Sequence, residues 1–147
     1  MSEPVLCAID FTPHSDRVVE RAITRALELD APVVLLHVMF TPSDTDYEAV
    51  EGQDTASSTA WKRLLEGARA SMARHRTRVE EAGLHVEASF VDGITSVAIR
   101  EAAAKHKAQL IVMGGSERSR LLTFFLGSVS DNVRRDGDRP VEIVLPG

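Results

Sequence analysis

Two nearly uninterrupted apolar runs, Val33 to Val38 and Leu110 to Met113, constrain this chain more than anything else in it. A strand with one wet face alternates apolar and polar residues, whereas one covered on both faces reads as a continuous run. Around these runs the period becomes that of a helix. Val18, Val19, Ala22, Ile23, Ala26 and Leu27 carry it before the first run. Trp61, Leu64, Leu65, Ala68, Met72, His75 and Val79 carry it afterwards, on a helix from about Trp61 to Ala82 that Gly83 ends. Val86 to Val91 reads as a shorter strand, a helix follows near Ser96 to His106, and Pro140 to Leu145 closes the series. Thr12-Pro13 reads as an N-cap with proline at the first helical position. Strands alternating with helices in this way build a parallel sheet covered on both faces, an α/β fold.

Five such strands in a doubly wound sheet take the order 3-2-1-4-5. The winding then reverses between strands 1 and 4, and open α/β sheets bind ligands at the carboxyl ends beside that point. Asp10 ends the first strand pattern and Gly114 ends the fourth, so both border the crevice. Gly114-Gly115-Ser116-Glu117 leads on to Gly127-Ser128, and Ser128 opens a helical pattern running from Val129 to Arg135. Glycine lets a backbone approach a ligand closely and offer bare N–H groups. A helix amino end adds orphan donors and a partial positive charge, so the two together suit phosphate. Capping alone accounts for Ser128, but it does not require the glycines upstream.

Composition narrows the class. With 147 residues, 44% hydrophobic and 27% charged, one core and one domain over 1–147 are expected. No apolar run reaches the ~20 residues of a membrane span, and no signal peptide is legible. A lone cysteine, Cys7, inside the first strand pattern excludes a disulfide framework and suits a reducing cytoplasm. A net charge of −5 argues against a general nucleic-acid binder. Five histidines, His14, His37, His75, His85 and His106, lack metal-ligand spacing. Neither a Walker A loop nor a G-x-S-x-G elbow is present. Lys62, Glu66, Arg69, Arg76 and Glu80 form a mixed-charge helical stripe, which reads as a solvated face.

The pattern Gly114-x-x-Glu117-x9-Gly127-Ser128 resembles the nucleotide-binding signature of the universal stress protein family, with Glu117 where the second glycine stands. The resemblance runs almost end to end. Val5 to Asp10 is similar to the family's first strand with its terminal Asp, and Val33 to Val38 to its second with the His-Val ending. Phe90-Val91-Asp92-Gly93 precedes a helix, Leu110 to Gly114 matches the fourth strand, and Leu126 to Asp131 is close to the most specific hexapeptide. What this resemblance implies is a protein binding ATP, ADP or AMP, with or without Mg²⁺, and acting as a homodimeric stress-response regulator. Asp10 would place base or ribose, and also suits a turn onto the Phe11-Thr12 backbone. The backbone of Val38 would meet adenine, and Gly114 would admit ribose and phosphates, with Met113 beside it among the cofactor-binding residues. Gly127, Ser128 and Val129 would hold phosphate. The Ser-Gly-Gly-x-Asp loop of related ATP pyrophosphatases is absent after the first strand, so no catalytic residue is expected and at most slow ATP hydrolysis.

Glu117 adds a side chain and a negative charge near the distal phosphates, a repulsion of roughly 1–4 kcal/mol depending on effective dielectric. Arg118 and Arg120 can offset it, or Glu117 can help hold Mg²⁺ through water. The alternative is a nucleotide-free dimeric interaction module on the same fold. In either case the last strand lies at a sheet edge, and Val141, Ile143 and Val144 suit pairing with a second copy. Glu142 within it and Pro146-Gly147 after it would limit growth beyond two chains. No membrane or nucleic-acid partner is expected. Residues 41–60, acidic and then Ser/Thr-rich, read as an irregular loop, a solvated insertion or a lid above the strand ends.

Overall fold

The computed structural model describes residues 2–39, 54–115, 132–134 and 137–145, and for 54–61 the backbone alone. Its elements are β1 (Val5–Ala8), α1 (Ser15–Leu29), β2 (Val33–Met39), α2 (Asp54–Glu81), β3 (Val86–Asp92), α3 (Thr95–His106), β4 (Leu110–Gly114) and β5 (Val141–Val144). All strand pairs are parallel, in the order β3-β2-β1-β4-β5.

β1 lies at the centre, where Cys7 is flanked by Leu35 and Val112, and Ala8 by Leu36 and Met113. Successive strand residues serve opposite faces. Val5, Cys7 and Ile9 turn toward Val18, Val19 and Ala22 of α1 and Met72 and Val79 of α2. Leu6 turns the other way, toward Ile99, Ala102 and Ala103 of α3 and toward Val133. Small alanines on α3 let it lie close to the sheet. Fully burying a side chain such as Leu6 or Leu35 contributes about 1.5–3 kcal/mol.

Four sequence expectations shift. Thr12-Pro13 does not cap α1, because Thr12 is used elsewhere: its N–H and hydroxyl both go to the Asp10 carboxylate. Its carbonyl accepts the Ser15 N–H at 2.9 Å, so a tight turn precedes a helix that opens at Ser15 after His14. α2 begins at Asp54, so residues 54–60, expected in the loop, are helical, while residues 40–53 lie outside the described set. Leu64, expected on the buried face, is 66% exposed. At 28 residues α2 is about 42 Å long, against about 23 Å for the longest strand, and the side chains described as reaching the core, Met72, His75 and Val79, all lie in its carboxyl half. Leu27 is also exposed, on the side of α1 away from the sheet. The mixed-charge stripe is solvated as expected, with Arg76 and Glu80 paired at 2.9 Å.

Candidate functional site

The carboxyl ends of β1 and β4 are neighbours, and the sheet reverses its winding between them. Asp10 leaves β1 there. Its Oδ1 accepts three hydrogen bonds: from the Thr12 N–H at 3.1 Å, the Thr12 hydroxyl at 2.8 Å and the Ser15 hydroxyl at 2.9 Å. Partial burial pushes the carboxyl pKa up, but these donors outweigh it and hold Asp10 below its ordinary value. Asp10 is therefore a carboxylate at neutral pH, and all three bonds fall on one oxygen. The turn role expected for Asp10 is what the structure shows. Its Oδ2, turned from these donors, can accept from a hydroxyl or amino group.

Between Asp10 and Thr12 the chain passes through Phe11 in the left-handed region, φ 62°. A bulky residue there is uncommon and costs roughly 1–3 kcal/mol of backbone strain. The Phe11 ring packs on His37 with centroids 4.3 Å apart, and Phe90 meets the His37 ring edge-on at 6.0 Å. His37 donates from Nδ1 to the Ile9 carbonyl at 2.9 Å, and the Ile9 N–H donates to Leu36. These contacts fasten the carboxyl ends of β1, β2 and β3 to one another.

Val38 stands on β2, next to β1, with its side chain against the α3-side cluster. Met113 is buried in the same cluster. Gly114 has a structural reason to be glycine. A Cβ there would lie 3.1 Å from His14 Cδ2, 3.3 Å from His14 Nε2 and 3.3 Å from Val18 Cγ2. A Cβ on Gly115 would lie 2.9 Å from Ile143 Cγ2. His14 donates from Nε2 to the Val144 carbonyl at 2.7 Å, and the same carbonyl accepts the Gly115 N–H at 3.0 Å. The expected site residues Asp10, Met113 and Gly114 thus converge at the switch point, with Val38 one strand away. Glu117, Gly127, Ser128 and Val129 lie outside the described residues. Sequence reasoning missed His14 and Ser15. Ser15, a buried polar residue in a helix's first turn, gives a weak signal beforehand; a bond from His14 to a carbonyl 130 residues away gives none.

An open, all-parallel, doubly wound sheet whose winding reverses between β1 and β4 defines a Rossmann-like α/β protein. Within that class the chain belongs to the universal stress protein family, whose model matches residues 1–144. Universal stress protein MJ0531 of Methanocaldococcus jannaschii is 27% identical over 140 residues, covering 95% of this chain and 80% of the relative. The solved structure of MJ0577 from the same organism has the same fold, with a TM-score of 0.76 at 23% identity, covering 99% of this chain and 96% of that one. A universal stress protein solved in complex with cAMP is 26% identical with a TM-score of 0.66, covering 97% of this chain and 96% of that one.

Proposed function

We propose that this protein binds an adenine nucleotide at the carboxyl ends of β1 and β4. The observation that carries the reading is Asp10, held ionised at the switch point by Thr12 and Ser15 beside Gly114. A carboxylate there suits ribose hydroxyls, which donate, rather than phosphate, which is anionic. The relative bound to cAMP supports an AMP-type ligand. Val38 would meet adenine through its backbone and Met113 would wall the base, while Gly127, Ser128 and Val129 would hold phosphate. Of the candidate ligands AMP, ADP and ATP, with or without Mg²⁺, those with fewer phosphates suit a chain carrying Glu117. The protein acts by conformation or assembly as a stress-response regulator in the cytoplasm, and no residue is assigned to catalysis. Its expected assembly is a homodimer through β5, with no nucleic-acid or membrane partner.

Calorimetry with AMP, cAMP and ATP tests this reading. Wild-type protein is expected to bind AMP, Gly127→Val to lose binding while keeping its circular dichroism, and Glu117→Gly to gain more for ATP than for AMP. Undiminished binding by Gly127→Val would sink the phosphate assignment. Unchanged affinities in Glu117→Gly would remove the repulsion argument.

A second reading has its own support. His14 and Val18 fill the space that glycine opens at position 114, and Asp10 Oδ1 is taken up by its turn. Both features serve a folded module with no ligand, acting through β5. A 260/280 nm absorbance ratio of nucleotide-free protein, together with silent calorimetry, would favour it.

A further inference from the structure

His14 stands between the two surfaces that the proposed function uses. Its ring occupies the space beside Gly114, at the strand end where the proposed nucleotide site lies. From there Nε2–H reaches the carbonyl of Val144, the last residue of the edge strand β5, at 2.7 Å. Because a carbonyl only accepts, Nε2 carries the proton in this bond. Nδ1 is buried with no hydrogen-bond partner among the described residues. A buried polar atom left unpaired costs stability, so a single contact, the one to Val144, holds this ring in a position with a built-in penalty.

We infer that His14 is the positioning residue through which occupancy of the crevice and pairing of β5 affect one another. The inference rests on the proposed nucleotide site and on self-association through β5. This coupling requires a second ring arrangement beside the one in the structure. When the ring is packed on Gly114 it shares the Val144 carbonyl with the Gly115 N–H, and this fixes the end of β5 against β4. When it is swung out, Nδ1 reaches water and that carbonyl keeps one donor. A ligand seated on the Gly114 backbone holds the wall against which the ring packs and so favours the first arrangement. β5 is then presented straight for pairing. Linkage requires the converse: a second copy on β5 favours the ring-in arrangement and tightens nucleotide binding by the same factor.

The test is the dimer dissociation constant of the full chain, by sedimentation, with and without saturating AMP. In wild type AMP is expected to lower it about 10-fold, within the usual range of coupling between sites. His14→Phe keeps a ring against Gly114 and Val18 but has no donor for Val144, and is expected to bring the ratio to about 1. His14→Asn, smaller and polar, is the second variant should phenylalanine fit poorly, and the same loss is expected. A wild-type ratio of 1 with AMP bound and dimers present overturns the coupling alone, as does an undiminished ratio in both variants. Absence of AMP binding in calorimetry overturns the nucleotide reading, and a wild type that stays monomeric overturns self-association. In each of these two cases the inference falls with the reading it rests on, and the measurements differ.

Discussion

Gly114 shows how one residue can answer to two demands. The proposed site would use it for a ligand, and in the structure its missing side chain admits the His14 ring at 3.1 Å from where a Cβ would sit. His14 is tethered to Val144 and cannot retreat freely. Gly114→Ala is therefore expected to destabilise the fold by about 1–3 kcal/mol, as overpacking does, measured by urea unfolding. In a His14→Ala background the same substitution is expected to cost much less, a non-additivity a double-mutant cycle reads directly. Equal costs in both backgrounds would show that His14 is not what Gly114 accommodates. The sequence shows that a glycine stands at the strand end. It cannot show which of two neighbours needs it, because one of them, His14, is brought there only by the fold.

α2 shows where periodicity informs and where it fails. Its carboxyl half was legible: Met72, His75 and Val79 share a face and all three are buried. Its start was not, because Asp54 to Thr59 is rich in residues whose side chains compete for backbone groups and suit caps and turns. The sheet order was legible because continuous apolar runs mark covered strands and the chain alternates strictly between strand and helix. His75 also makes α2 sensitive to acid. It is fully buried, and neither ring nitrogen is hydrogen-bonded among the described residues. Burial depresses its pKa, the charges of Arg74 and Arg78 depress it further, and Asp16 of α1, 3.9 Å from Nδ1, opposes them. The folded chain thus binds this proton less readily than the unfolded one. The stabilising preference for neutral His75 is complete above the ordinary histidine pKa of about 6.5 and is lost as pH falls below it. His75→Leu, similar in volume and uncharged, is expected to flatten the loss of stability between about pH 6.5 and 5, read from urea midpoints. Identical pH slopes in the two proteins would assign that sensitivity to other groups.

At the scale of the whole molecule, β5 pairs only with β4 among the described residues. Ile143→Asp is expected to convert a self-associating chain to monomer, or to insoluble protein, in light scattering. Unaltered assembly would place the contact elsewhere. Glu142, expected to restrain growth along this edge, does not face along it: its carboxylate lies 3.5 Å from both Arg21 and Arg25 of α1. The acid is paired within its own chain, so among the described residues the sheet ends in two borders of unequal character. β3 carries Glu87 and Asp92, both exposed, and β5 offers an uncharged ladder. Joining like borders, β5 to β5, uses up both contacts and stops at two. Joining unlike ones, β5 to β3, leaves a fresh border on every added chain and grows a filament. In the proposed homodimer, with Glu142 occupied, the acidic residues of β3, two strands beyond the centre and remote from β5, would be the guard that keeps assembly finite. Glu87→Val should then add species heavier than a dimer to the scattering profile. If that profile stays unchanged, the guard is geometry alone: a border whose twist or cover refuses a partner whatever its charge.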